Sequence, residues 1–151
     1  MKLVLGQDAA VAAWVARKLG YDDAEFFGPC VAMAVANAND QPLAGVVFSG
    51  YRDIYKSIEI SIASESPRWA TRGIIHALLS YPFEQLGCER VHVTIPLRNK
   101  RAQRFCKGIG FVQEGVLRRG FGAEHAVVMS MLRPEFRRLF KRNLSNAKKV
   151  A

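Results

Sequence analysis

Residues 70–75 read Ala-Thr-Arg-Gly-Ile-Ile, and from there the apolar residues Ile74, Ile75, Leu78, Leu79, Phe83 and Leu86 recur at three- and four-residue spacing. That period predicts a helix starting near Thr71 or Arg72, with Gly73 in its first turn. A helix start presents backbone N–H groups without intrahelical partners and the positive end of the helix dipole. A glycine there lets an anion approach without meeting a side chain, and Arg68 and Arg72 add charge, so the chemistry on offer is phosphate or pyrophosphate binding. Taken alone, Arg-Gly before an apolar run also marks a plain helix start. Glu59 is a second candidate, a carboxylate able to accept and relay a proton; pairing with Arg52 or Lys56 across a hairpin is its ordinary alternative. Cys106 is a third, since a thiol near pKa 8.5 can donate a proton. Its place in an apolar stripe equally describes a buried core cysteine.

The elements that must hold these groups follow from periodicity. Residues 58–63 alternate Ile58, Ile60 and Ile62 with Glu59, Ser61 and Ala63, a strand that turns Glu59 away from the isoleucine face and that Ser66-Pro67 ends. Residues 90–95 alternate as another strand, ended by Pro96. Asn99 opens a helix with Ala102, Phe105, Cys106 and Ile109 as its apolar face and Arg101, Arg104 and Lys107 on its polar side; Gly108 and Gly110 bracket its end. Two further strands, 112–117 and 126–132, flank the polar, Gly-rich residues 118–124. Upstream, residues 1–6 read as a first strand, and Asp8 as the N-cap of a helix through Lys18 closed by Gly20, with Val11, Trp14, Val15 and Leu19 on its apolar side. Residues 21–28 form a short helix or a loop, and 31–37 and 43–51 a hairpin around residues 38–40. Pro82 predicts a kink in the long helix. Beyond the last strand, Phe136, Leu139, Phe140 and Leu144 share one side of a short helix whose other side carries Arg137, Arg138, Lys141 and Arg142, and the chain frays after residue 146.

Thr71-Arg72-Gly73, Asn99-Lys100-Arg101-Ala102 and Gly110-Phe111-Val112-Gln113-Glu114-Gly115, in this order and spacing, resemble the acyl-CoA-binding core of the GCN5-related N-acetyltransferase (GNAT) family, closest to its ribosomal-protein and amine N-acetyltransferase branch. The resemblance covers residues 42–136. It implies an α/β (α+β) fold with a central mixed, mostly antiparallel sheet of six to seven strands, splayed at the centre and flanked by helices. It also implies acetyl-CoA as cosubstrate and an amine of a small molecule, peptide or protein as acceptor, joined by direct attack in a ternary complex. By the same resemblance the pyrophosphate lies on Arg68, Ala70, Thr71, Arg72, Gly73 and Ile74. The pantetheine arm runs along Ser61, Ile62 and Ala63, where their strand splays from the strand of Val93 and Thr94. Asn99 meets the arm or its bound water, and Arg104 and Lys107 reach the 3′-phosphate. Glu59 relays the amine's proton and Cys106 protonates the leaving thiolate. The acceptor is gripped by residues 21–29, 51–56 and 118–125. Three positions depart from the family pattern: Ala70 stands where Gln or Arg is usual, Ile75 where a small residue is, and Cys106 where a Tyr often is.

The 151 residues suit one domain, 1–151, with 136–151 as a basic tail. The net charge of +9 is uneven, because residues 1–75 hold 7 basic and 8 acidic side chains and the remainder 15 and 5. A polyanionic coenzyme accounts for part of that bias. The apolar runs are short of a membrane span and of a secretory signal, and Cys30, Cys88 and Cys106 form neither a disulfide framework nor a zinc motif. The expectation is therefore a cytoplasmic protein, monomer or homodimer, without membrane or metal. His76, His92 and His125 receive no role. Two other readings are open: a catalytically silent protein of the same fold that binds coenzyme A or a protein partner, suggested by Ala70, Ile75 and Cys106, and a basic nucleic-acid-binding protein. The second lacks a recognition motif.

Overall fold

Strand period and turn chemistry build two compact units, Met1–Leu78 and the residues from Leu79 onward. The computed structural model describes residues 1–141; the remainder of the basic tail expected over 136–151 lies outside the described residues. The first unit holds β1 (Lys2–Val4), α1 (Asp8–Leu19), β2 (Cys30–Ala36), β3 (Pro42–Arg52), β4 (Ser57–Ser64) and the greater part of α2 (Arg72–Ser80). Its strands pair in the order β1-β2-β3-β4, all antiparallel.

Local chemistry sets each connection in this unit. Between β2 and β3, Asn37 Oδ1 accepts from the backbone N–H of Asn39 and Gln41 at 2.9 and 3.0 Å, which lets Asp40 adopt φ +60°. At the tip between β3 and β4, Asp53 accepts from Tyr51 Oη at 3.0 Å and Lys56 Nζ at 2.7 Å, leaving Ile54 and Tyr55 exposed. Helix α1 lays Val11, Ala12, Val15 and Ala16 on Ala32, Ala34, Val47 and Ala63 of the sheet. The approach is close because β3 has a glycine beneath the helix: a Cβ on Gly45 would stand 2.5 Å from Val15 Cγ2. Gly20 ends α1 in the left-handed conformation at φ +88°. One expectation is corrected here. Gln7, not Asp8, occupies the N-cap of α1, and Asp8 Oδ1 instead accepts from the N–H of Ala32 at 3.0 Å. That bond fastens the helix start to β2, so a tertiary partner replaces the local one.

The second unit contains β5 (Arg90–Pro96), α3 (Lys100–Gly108), β6 (Val112–Leu117), β7 (Ala126–Leu132) and α4 (Arg133–Leu139), its strands ordered β5-β7-β6 and antiparallel. Pro82 has no N–H to continue the helical ladder, and residues Tyr81–Gln85 form a wider π-turn in which Leu86 N bonds Tyr81 O at 3.0 Å. Phe83 then stacks on Phe136 of α4 with ring centroids 4.9 Å apart, and Phe136 meets Phe140 at 5.2 Å. Helix α4 starts three residues before the apolar spacing predicts, because Pro134 suits a first turn and Glu135 Oε1 accepts from Leu132 N at 2.8 Å. The β6–β7 ladder carries a bulge between Gln113 and Gly115, and Glu114, at the bulge, pairs with Arg90.

Candidate active site

The antiparallel register places Glu59 opposite Ser49, and Ser49 opposite Cys30, so three polar side chains form one row across β4, β3 and β2. Because side chains alternate, that row shares its face with Val47 and Ala63, the face covered by α1, while Ile58 and Ile60 are buried on the other. Ser49 is buried and Glu59 half-buried. Tyr21 leaves α1 just past its glycine cap and reaches the same region. Burial raises its phenol above the ordinary value, and the negative charge of Glu59 raises it further. The Tyr21 ring stacks on Phe26 at 3.7 Å and 14°, and Phe27 meets it edge-on at 6.3 Å. Gly20, Tyr21, Asp22, Asp23 and Phe26 line an open cavity of about 330 Å³. Tyr21 belongs to the aromatic residues expected near an acceptor; its link to Glu59 has no sequence signal, because 38 positions separate the two.

Ser61 and Ile62 are half-buried and Ala63 is buried along β4. The chain then turns through Pro67–Trp69, where Ser66 Oγ accepts from Arg68 N at 3.2 Å and Trp69 is buried. Thr71 caps α2, its Oγ1 accepting from Ile74 N at 3.3 Å and its carbonyl from Ile75 N at 3.0 Å. Ala70 N and Thr71 N are likewise engaged, by Pro67 O at 3.1 Å and Trp69 O at 2.9 Å. Gly73 differs from these neighbours. Its amide has no protein acceptor among the described residues, its φ is not in the left-handed region, and a Cβ on it would meet nothing within 4 Å. Neither backbone conformation nor packing therefore requires a glycine at this position. Arg68, Thr71 and Arg72 are exposed around it, and Ile75 is buried as an anchor of the helix.

In the second unit Asn99 caps α3, its Oδ1 accepting from Ala102 N at 3.1 Å. Arg104 and Lys107 are exposed on that helix. Cys106 is not: it is 3% exposed, and burial pushes its thiol up to about 12. A thiol held this far inside the apolar core fits the buried core cysteine that its place in the apolar stripe describes. Residues 118–125 form a closed loop in which His125 Nδ1 accepts from Arg119 N at 2.8 Å. His125 thus has a structural use that its scattered position in sequence gives no means of finding. Among the described residues no group of three or more His, Cys, Asp or Glu could hold a metal ion, and no helix is long and apolar enough to cross a membrane.

No protein-family profile and no curated protein matches the chain. Solved structures do. It is similar to a mutant of spermidine N-acetyltransferase SpeG from Vibrio cholerae, at 16% identity over 90% of this chain and 97% of that chain, with a TM-score of 0.70. It is similar to the spermidine/spermine N-acetyltransferase SpeG from Vibrio cholerae in complex with manganese ions, at 17% identity over 89% and 94%, with a TM-score of 0.69. A protein with a provisional acetyltransferase designation aligns at 28% identity over 83% of this chain and 65% of its own, with a TM-score of 0.66. The chain has the GNAT fold.

Proposed function

We propose that this protein is an acetyl-CoA-dependent N-acetyltransferase. The observation that carries the reading is Gly73: a glycine in the first turn of α2 with a free amide, open space where a side chain would stand, and exposed Arg68, Thr71 and Arg72 about it. That combination suits an anion laid against the helix start, and the pyrophosphate of coenzyme A is the anion the fold implies. The resemblance assigns the pantetheine arm to Ser61, Ile62 and Ala63 of β4. In the second unit we assign Asn99 to the coenzyme and residues 118–125 to the acceptor.

The reaction is acyl transfer from sulfur to nitrogen. A neutral amine attacks the thioester carbonyl carbon, the C–N bond forms, the C–S bond breaks, and the amine nitrogen loses one proton while the departing sulfur takes one up. Glu59 accepts the amine's proton, directly or through water. A thiolate leaves readily near neutral pH and takes its proton from solvent, so Cys106 is left out. The aromatic pair Tyr21 and Phe26 with Asp22 and Asp23 suits a cationic acceptor arriving near Glu59, and the similarity to spermidine N-acetyltransferases supports an amine.

Titration with acetyl-CoA should raise the melting temperature, since a ligand that binds the native state alone adds about 2.7 kcal/mol at a hundredfold excess over Kd. Thiol release with a panel of amines should then select an acceptor. No thermal shift at millimolar coenzyme rejects the reading. A shift without thiol release from any amine identifies a silent coenzyme-binding protein instead.

A further inference from the structure

The loop of residues 118–125 between β6 and β7 is fastened by Glu124 and His125, to which the proposed proton transfers give no part. Glu124 Oε1 accepts from Arg98 N at 2.9 Å, and its Oε2 from the Arg98 guanidinium at 3.1 Å. The adjacent carbonyl, His125 O, accepts from Leu97 N at 2.9 Å. On its inner side the loop closes on the same pair: Arg119 N donates to His125 Nδ1 at 2.8 Å, and Phe121 N to Glu124 O at 3.0 Å. Arg119 has φ +52°, a left-handed conformation that an arginine holds only when its surroundings compensate. The segment on the other side of the lock, Leu97 and Arg98, leads directly into Asn99, which caps α3. Two neighbouring residues therefore connect a whole loop to the turn that sets Asn99.

We propose that Glu124 and His125 are positioning residues, which lock the β6–β7 loop to the Leu97-Arg98-Asn99 turn so that the acceptor wall and the coenzyme-side asparagine of this unit keep one fixed geometry. The proposal rests on the assignment of the loop to the acceptor for its kinetic consequence, and on the hydrogen bonds alone for the lock itself. Arg98 holds the Glu124 carboxyl below the ordinary range, by its side chain first and its backbone N–H second, so the acceptor end of the lock stays charged at neutral pH.

The experiment compares four variants of the full chain, Glu124→Ala, Glu124→Gln, His125→Phe and His125→Asn, by amide hydrogen exchange and steady-state kinetics. Glu124→Ala should speed exchange at least tenfold at Arg98 and at Arg119, Phe121 and Gly122, and leave the β3–β4 amides unchanged. It should raise the amine KM about tenfold or more with kcat altered less than threefold. Glu124→Gln keeps an oxygen for Arg98 N and should change KM by less than threefold. His125→Asn offers an oxygen where Nδ1 stands and should preserve slow exchange at Arg119, whereas His125→Phe should not. The proposal is overturned if Glu124→Ala speeds exchange on only one side of the lock, or if Phe and Asn at position 125 behave alike. Should the wild type transfer no acetyl group, the kinetic arm falls with the functional reading, and the exchange pattern still decides whether the lock exists.

Discussion

At the scale of single residues, environment separates Glu59 from Cys106. Both are credible proton carriers by type. Glu59 sits half-buried at the end of a polar row with Ser49 and Cys30, close enough to Tyr21 to raise its phenol, while Cys106 faces the core. Glu59→Gln should lower kcat by roughly 10²-fold and leave the acetyl-CoA Kd, measured by titration, nearly unchanged, as lost general-base catalysis does. Unaltered turnover would remove Glu59 from the mechanism. Cys106→Ala should do the opposite: kcat within a factor of two of wild type, and a loss of about 1–2 kcal/mol in urea unfolding for the small cavity left behind. A tenfold fall in kcat would restore the thiol to the reaction.

At the scale of elements, two glycines make opposite predictions from opposite surroundings. Gly73 stands in an exposed first turn with empty space in front, so Gly73→Ala should stabilise the unliganded protein by about 0.5–1 kcal/mol through helix propensity. The same methyl group intrudes on the anion's approach, and the acetyl-CoA Kd should rise at least tenfold. A variant that is more stable and equally good at binding would show that α2 does not receive the phosphates. Gly45 lies under α1, where an added Cβ would come within 2.5 Å of Val15. Gly45→Ala should therefore cost about 1–3 kcal/mol by overpacking, read as a lower midpoint in urea.

At the scale of the whole molecule, charge governs the response to acid. The carboxyls of Glu114 and Glu124 are held below their ordinary value by the side chains of Arg90 and Arg98. A group whose folded pKa is lowered contributes its stability in full above the unfolded value, near 4.3, and loses it as pH falls through the folded value. The double variant Glu114→Gln and Glu124→Gln should melt below the wild type at pH 7, and the gap should close as pH falls below the unfolded value and through the lowered folded ones. A gap independent of pH would mean that packing, not ionisation, is what the two residues contribute. Both pairs are partly open to water, so the effect on melting temperature should shrink with added salt.

Sequence alone determined the elements and their order. Period two over 58–63 and 90–95, period 3.6 from Thr71, Asn99 as a cap and Gly20 as a helix end all describe interactions between neighbours in the chain, and such interactions are written in spacing. The fold was implied by the family resemblance that their motifs and order carry. What tertiary structure decided was where the side chains of those elements lie relative to distant ones. Asp8 bonds to β2 rather than capping its own helix, Cys106 turns into the core, Tyr21 comes within reach of Glu59, and Glu124 meets Arg98 across 26 positions. Each of these depends on strand register and helix packing, which are set by the burial of many apolar groups together and leave no local pattern for the individual polar residue to display.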